Sequence, residues 1–158
     1  MNIKIDDLNH SQIIALLQEH LDDMYATSPP ESVHALDIEK LKQPHITFYS
    51  AWENETLLGC IAISKLSETH GEIKSMRTSH SARGRGVASR LLQHVIESAF
   101  QKHITTLSLE TGTQDYFSAA RNLYRKFGFI ECGPFANYTN DPHSCFMTLN
   151  LHHTAECQ

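Results

Sequence analysis

Apolar positions along this chain alternate between the two-residue spacing typical of strands and the three-to-four-residue spacing typical of helices. The strongest helical pattern begins after Gly86, and its apolar residues are Val87, Ala88, Leu91, Leu92, Val95, Ile96, Ala99 and Phe100. The pattern predicts strands at 2–7, 46–52, 57–66, 72–78, 106–110, 129–132 and 145–151. It predicts helices at 10–24, 31–41 and 87–101, and a further helix that ends at Gly128.

The order of these elements predicts one α/β domain that spans residues 1–151. We expect a mixed antiparallel and parallel sheet of about six or seven strands, flanked by about four helices. The two strands on either side of the helix after Gly86 should be parallel and joined by a right-handed connection. Residues 152–158 are expected to form a disordered tail, as chain ends often do.

Composition narrows the classes of protein to which the chain can belong. Its 158 residues suit a single domain, and 41% hydrophobic with 20% charged residues is ordinary for a globular protein. A net charge of −5 argues against a nucleic-acid surface. We see no membrane-spanning run and no signal-peptide core, so we expect a cytoplasmic protein without membrane contact. The sequence leaves a homodimer open.

Cysteines and histidines give no indication of a metal site. Cys60, Cys132, Cys145 and Cys157 lack Cys-x-x-Cys spacing, so we expect reduced thiols. Neither Cys132 nor Cys145 has a histidine beside it in the sequence, which argues against a cysteine nucleophile. The eleven histidines are scattered, and we expect no bound metal.

Candidate chemistry is concentrated in the turn Arg83-Gly-Arg-Gly86, which joins a predicted strand to the strongest predicted helix. Gly84 and Gly86 lack a Cβ, so their backbone N–H groups can approach a ligand closely. The unpaired N–H groups and the dipole at the helix start favour an anion. Arg83 and Arg85 add charge that suits phosphate oxygens. The turn therefore predicts a phosphate site.

Two common phosphate-binding loops do not match this turn. A nucleoside-triphosphate loop needs Lys-Ser/Thr where this chain has Val87-Ala88, and a dinucleotide fingerprint needs a third glycine where it has Ser89. The run Arg83-x-x-Gly86-x-Ala88 instead resembles the pyrophosphate loop of the GCN5-related N-acetyltransferase (GNAT) superfamily, whose members bind acetyl-coenzyme A. A second block, Ala120-x-x-x-Tyr124 followed by Gly128-Phe129, is similar to the superfamily's next helix.

The resemblance implies a fold and a reaction. It extends over residues 2–151, and the chain resembles bacterial acetyltransferases of the small-molecule type. The resemblance implies the GNAT fold, acetyl-coenzyme A as co-substrate and no metal. It further implies transfer of the acetyl group to a primary amine, on a small molecule or a peptide, by direct attack in a ternary complex. The alternative is a non-catalytic module that senses acyl-coenzyme A.

The resemblance also assigns residues to the coenzyme. In the family, two parallel strands splay apart, and the pantetheine arm binds backbone groups in the gap, here those of Met76 and Thr78. The full expected coenzyme site is Met76, Arg77, Thr78, Arg83, Gly84, Arg85, Gly86, Val87 and Ala88. One departure is Phe117, which stands where many members have an asparagine that contacts the arm.

Two residues are expected to serve as acid and base. Tyr124 occupies the helix position at which many members place a phenol near the coenzyme A sulfur. Glu72 lies eleven positions before Arg83, the spacing at which histone-acetylating members place a catalytic glutamate. A carboxylate at a strand start can also simply pair with a neighbouring cation. Glu110, at the end of the adjacent strand, is the alternative base.

The acceptor pocket is expected between the first two helices and the loop that joins the last two strands. Its candidate contacts are His34, Asp37, Tyr138, Asn140 and Asp141. None of these residues identifies a substrate. The negative net charge suits a small neutral or cationic amine.

Overall fold

A single mixed sheet of seven strands forms the centre of residues 1–34 and 37–151, which the computed structural model describes. The strands are β1 (Asn2–Ile5), β2 (Ile46–Glu53), β3 (Thr56–Lys65), β4 (His70–Thr78), β5 (Thr106–Gly112), β6 (Ile130–Cys132) and β7 (Ser144–Asn150). Their order across the sheet is β1-β2-β3-β4-β5-β7-β6. Neighbours are antiparallel except β4 and β5, which are parallel as predicted. The predicted fold class is confirmed, and the predicted tail at 152–158 lies outside the described residues.

Four α-helices occur in the described part of the chain. They are α1 (Ser11–Thr27), α2 (Ile38–Leu41), α3 (Val87–Gln101) and α4 (Ser118–Lys126). α1 begins where the His10 imidazole accepts a hydrogen bond from the Gln12 N–H at 3.1 Å. Within residues 1–34 and 37–151, we find no helix with the length and apolar character needed to cross a bilayer.

The prediction of one helix over 31–41 is wrong. The structure has a 3₁₀ turn at Pro30–Ser32 and then the short α2, with residues 35–36 outside the described part. The Ser32 hydroxyl donates to the Asp141 carboxylate at 2.6 Å, which ties the turn to the loop before β7. Asp37 then accepts from the Lys40 N–H and caps a new helix.

Two smaller predictions also need correction. β1 ends at Ile5 instead of residue 7, because the Asp6 carboxylate accepts a hydrogen bond from the Leu8 N–H at 3.1 Å and turns the chain. Phe100 was placed on the buried face of α3, but it is 42% exposed at the last turn of that helix.

The sheet carries a hydrophobic cluster on each face. Successive residues of a strand point to opposite faces, so β2 contributes Tyr49 to one cluster and Phe48 to the other. The first cluster packs α3 and α4 against the sheet, and the second packs α1 and α2. Burial of these apolar side chains, at about 25 cal/mol per Å², fixes the helices that surround the site.

β4 and β5 pair only along part of their length. Parallel pairing runs from His70 and Thr106 to Ile73 and Leu109, whereas β4 continues to Thr78. Beyond these four positions the strands separate. The separation leaves a gap at the carboxyl ends of the two strands, where open α/β sheets usually bind ligands.

A bulge in β4 lies at the point of separation. Cys60 of β3 pairs with Arg77, and Ala62 pairs with Lys74, so β4 has one residue more than β3 in this interval. Ser75 within the bulge has a φ of 54°, in the left-handed region. The bulge turns β4 away from its earlier direction and re-aims the side chains that follow.

Candidate active site

The predicted glycine turn connects β4 to α3 through a 3₁₀ turn at His80–Ala82. Gly84 and Gly86 have φ angles of 77° and 79°, a left-handed conformation that favours glycine. A Cβ at either position would meet no heavy atom within 4 Å, so the space beside the turn is open. Gly86 is also the N-cap of α3, whose first N–H groups have no partner within the helix. The turn therefore presents backbone donors to an open space.

This open space is part of a cavity of about 500 Å³, which we call the donor groove. It lies between the end of β4, the glycine turn and the start of α3 on one side and α4 on the other. All the predicted coenzyme residues line it except Arg85. The Arg85 guanidinium instead donates to both carboxylate oxygens of Glu53 at 3.0 Å.

Of the far wall of the donor groove, the sequence connects only Phe117 with the coenzyme. This wall consists of Tyr116, Phe117, Ala119, Ala120 and Leu123, from the 3₁₀ turn Asp115–Phe117 and α4. The small side chains of Ala119 and Ala120 leave room between α4 and α3. Phe117 is buried, so this part of the wall is apolar where the family often has an amide.

Arg77 is a buried residue of the groove wall and forms ion pairs with partly exposed carboxylates. Its guanidinium contacts the carboxylates of Glu19 and Asp23 on α1 and donates to the Tyr116 hydroxyl at 2.9 Å. Burial alone would lower the pKa of Arg77, but the hydrogen bonds to Glu19 and Asp23 raise it above its usual value. The Arg77 side chain thus fixes α1 against β4. In the sequence, the sign of these ion pairs is the spacing of Glu19 and Asp23, which places both carboxylates on one face of a helix.

A smaller cavity of about 90 Å³, which we call the acceptor pocket, adjoins the donor groove. The two cavities share His20, Met76, Phe117 and Ala120 in their walls. The acceptor pocket brings together the predicted Glu72, Glu110 and Tyr124. It also contains Lys74, which the sequence did not single out as a pocket residue.

Glu72 is held by two neighbours. The residue is only 5% exposed. Its Oε2 accepts hydrogen bonds from the Lys74 ammonium at 3.2 Å and from the Tyr138 hydroxyl. Lys74 also donates to the Tyr138 hydroxyl at 3.0 Å, which closes a three-membered network. Because a buried carboxylate needs such partners, Glu72 is both a pocket residue and a structural anchor for Lys74 and Tyr138.

Glu110 has a different environment on the neighbouring strand. Burial raises the pKa of its carboxyl to about 7, and the negative charges of Glu72 and Asp141 act in the same direction, while Lys74 opposes them. A carboxyl group with this pKa exchanges protons readily near neutral pH. The two candidate carboxylates therefore differ in their surroundings, since Glu72 is hydrogen-bonded to Lys74 and Tyr138.

Tyr124 projects from α4 into the wall of the acceptor pocket. The residue is buried, and its hydroxyl lies 3.9 Å from the Met76 sulfur, which belongs to both cavities. Burial, with a further contribution from Glu110, raises the pKa of the phenol above its usual value. The phenol therefore stays protonated and can donate a hydrogen bond.

The predicted acceptor contacts separate into two groups. His34 and Tyr138 line the acceptor pocket, and their rings pack edge to face with centroids 5.0 Å apart. Asp37 instead caps α2, and Asn140 and Asp141 line a different cavity next to β6 and β7. Asp141 also holds Ser32, as described above.

One group of side chains has the proximity needed for a metal ion. Among the described residues, the ligand atoms of Glu19, Asp23 and His80 lie within 4.8 Å of one another. The Arg77 guanidinium forms ion pairs with both carboxylates, so their negative charges are already balanced by a side chain of the protein. The His80 imidazole lies 3.0 Å from Glu19 at the exposed edge of the same network.

Comparisons with known proteins agree with this geometry. Residues 13–129 match the model of the acetyltransferase (GNAT) family. The chain is 55% identical over 151 residues to the uncharacterized N-acetyltransferase YsnE of Bacillus subtilis (strain 168), covering 96% of this chain and 100% of that protein. It is 50% identical over 149 residues to the uncharacterized N-acetyltransferase YedL of Escherichia coli (strain K12), covering 94% of each.

A solved structure gives the same result for the fold. An aminoglycoside 6′-N-acetyltransferase complexed with coenzyme A superposes with a TM-score of 0.71 at 17% identity, over 96% of this chain and 97% of that one. The family match covers most of the chain, and both relatives are matched over nearly their full length. The chain therefore belongs to the acetyltransferase (GNAT) family, as an enzyme that transfers an acetyl group from acetyl-coenzyme A to an amine.

Proposed function

We propose that the donor groove binds acetyl-coenzyme A, that the acceptor pocket receives the amine, and that acetyl transfer takes place where the two cavities meet. The observation that carries the proposal is their shared wall, formed by His20, Met76, Phe117 and Ala120. A thioester at this boundary is within reach of an amine that enters from the other side. Direct attack in a ternary complex then needs only correct positioning.

The groove has the features that a coenzyme A pyrophosphate requires. The open space beside Gly84 and Gly86 is large enough for phosphate oxygens, and the N–H groups at the start of α3 and the Arg83 side chain supply donors. The backbone of Met76 and Thr78 borders the gap beyond the β4–β5 pairing and can bind the pantetheine arm. Acetyl-coenzyme A supplies an acetyl group on a thioester, whose carbonyl carbon the amine attacks.

We assign the base role to Glu110, with Glu72 as the alternative. Glu110 has a pKa of about 7, which suits proton uptake near neutral pH. Glu72 is engaged with Lys74 and Tyr138, so proton uptake there would weaken an established network. In this assignment Glu110 accepts the proton lost by the amine nitrogen as the new N–C bond forms, and Glu72 keeps Tyr138 and Lys74 in place.

We assign the acid role to Tyr124. As the C–S bond breaks, its hydroxyl donates a proton to the departing sulfur. Glu110 and Tyr124 both line the acceptor pocket, and after product release the proton held by Glu110 passes to solvent while the phenolate takes one up. The proton balance then closes, because one proton leaves the amine and one reaches the thiol.

A non-catalytic sensor of acyl-coenzyme A would need only the donor groove. The second cavity, with a carboxyl group of raised pKa beside a protonated phenol, is what favours an enzyme. The acceptor pocket is small, and two carboxylates line it, which supports a small primary amine or the end of an aminoalkyl chain as the group that enters.

The test is turnover of acetyl-coenzyme A with a panel of small amines, amino acids and lysine peptides, followed by the release of free thiol. We expect turnover with at least one amine, and a kcat that rises with pH through about 7 as Glu110 loses its proton. Glu110→Gln should lower kcat about 100-fold and remove this pH dependence. Coenzyme A binding with no turnover on any amine would support the sensor instead.

Glu72→Gln is the matched control for the base assignment. It changes the same functional group in the same pocket, and it should retain the rise of kcat through about pH 7 even if the loss of Tyr138 contacts lowers its overall rate. If Glu72→Gln loses the pH dependence and Glu110→Gln keeps it, the base is Glu72.

A further inference from the structure

α1 presents two different sets of side chains to the site. Glu19 and Asp23, one helical turn apart, bind Arg77 and hold the helix against β4. His20 and Met24, also four residues apart, line the acceptor pocket instead. The ion pairs of Arg77 thus set the position of His20, which immediately follows Glu19 in the helix.

His20 lies where the two cavities meet. Seven titratable side chains line the acceptor pocket, and four line the donor groove. Within the described residues, His20 is the one titratable side chain common to both. The other shared residues, Met76, Phe117 and Ala120, offer no hydrogen-bond donor from their side chains. A polar contact from a shared side chain to the reacting atoms would therefore have to come from His20.

The charge state of His20 suits such a contact. Burial lowers the pKa of its imidazole to about 4, with a further lowering by the positive charge of Arg77, while Asp23 opposes the shift. The ring is thus neutral at physiological pH, with one nitrogen as donor and the other as acceptor. A neutral imidazole at this position can polarise a carbonyl group without the cost of burying a further charge.

We propose that His20 is a catalytic residue that donates a hydrogen bond to the acetyl carbonyl oxygen as negative charge develops there. This inference rests on the proposed function, since it assumes that the thioester lies at the boundary of the two cavities. No covalent bond to His20 forms, and the imidazole keeps its proton throughout. Its contribution is a donor that is already in position before the reaction begins.

The first test reads the contact directly, without turnover. In the full chain with ¹⁵N-labelled histidine, acetyl-coenzyme A should shift the His20 ring resonances. Adenosine bisphosphate, which lacks the pantetheine arm and the thioester, should leave them unchanged. His20→Gln identifies the resonances by removing them. If acetyl-coenzyme A binds and the His20 signals do not move, the proposed contact is absent and the inference fails.

The second test is kinetic and uses two variants of His20. His20→Phe fills a similar space without a donor and should lower kcat about 100-fold, while the Kd for coenzyme A changes less than about threefold. His20→Gln retains a donor and should lose less activity than His20→Phe. His94→Gln is the control, because His94 packs edge to face on Tyr49 at a centroid distance of 5.1 Å and should keep full activity.

The outcomes separate this inference from the proposed function. Wild-type protein that turns over no amine contradicts the proposed function, and the resonance experiment then still decides whether His20 touches the bound thioester. Wild-type turnover with unchanged kcat in folded His20→Phe and His20→Gln overturns the catalytic role alone. If His20→Phe does not fold, His20→Leu replaces it as the variant without a donor, and a kcat equal to that of wild type in His20→Leu has the same meaning.

Discussion

Glu110→Gln should stabilise the protein, and by an amount that grows with pH. Burial raises the pKa of the Glu110 carboxyl from 4.5 to about 7 in the folded protein. Between these two values the unfolded chain has lost the proton and the folded protein still holds it. The free energy of unfolding therefore falls as the pH rises from 4.5 to 7, and the loss is complete above pH 7.

The magnitude follows from the pKa difference of about 2.5 units between the two states. At about 1.4 kcal/mol per unit, the ionised Glu110 costs the folded protein about 3 kcal/mol above pH 7. The same calculation gives about 2 kcal/mol at pH 6 and less than about 1 kcal/mol at pH 5. Gln has nearly the shape of a protonated Glu and no charge, so Glu110→Gln removes this cost at every pH.

The assay is urea unfolding of the wild type and Glu110→Gln at pH 5, 6 and 8. The difference in the free energy of unfolding between the two proteins should increase by about 2 kcal/mol from pH 5 to pH 8. Glu68→Gln is the control, because the Glu68 side chain is 93% exposed and its replacement should change the free energy of unfolding little. A Glu110→Gln difference that stays constant or falls with pH would refute the reasoning.

Two further substitutions test the donor groove and the acid. Gly86→Asp places a Cβ and a negative charge in the open space beside a residue with a left-handed backbone. The Kd for coenzyme A, measured by calorimetry, should therefore rise tenfold or more, which corresponds to about 1.4 kcal/mol. Unchanged affinity in the folded variant would contradict the pyrophosphate site. Tyr124→Phe keeps the buried ring but removes the proton, so kcat should fall about 10- to 1000-fold while the Kd for acetyl-coenzyme A changes less than about threefold. Full kcat in Tyr124→Phe would make Tyr124 a core residue.

The parts of the fold that depend on local sequence were predictable. The glycine turn and α3 follow directly from Gly84, Gly86 and the apolar face of Val87, Leu91 and Val95, because one segment contains all the necessary information. The pairing of β2 with β3 and of β3 with β4 was predictable because short turns join these strands. The same local reasoning failed at residues 31–41, where the Ser32 hydroxyl donates to the distant Asp141 carboxylate and Asp37 caps a separate helix.

The site was predicted less completely, since most of its contacts join distant segments. Glu72, Glu110 and Tyr124 do share a pocket, as strand-end reasoning and the family resemblance suggested. The contact of Glu72 with Tyr138 links residues 66 positions apart, and no spacing rule indicates it. The bulge at Ser75 was also invisible, because serine does not mark a left-handed position as glycine does.

The short parallel pairing of β4 and β5 also has a mechanical meaning. The four positions from His70 to Ile73 are the strand-to-strand link between β1–β4 and the sheet formed by β5, β7 and β6. This seam pairs four positions, fewer than the six of the adjoining β3–β4 ladder and the seven of the β5–β7 ladder, so it is the weakest of these three junctions. Along the seam, amide exchange should be fastest at the open end beyond Ile73. A pantetheine arm bound along that end would add contacts between the two halves of the sheet. Substrate binding would then make the sheet more rigid as well as fill the groove.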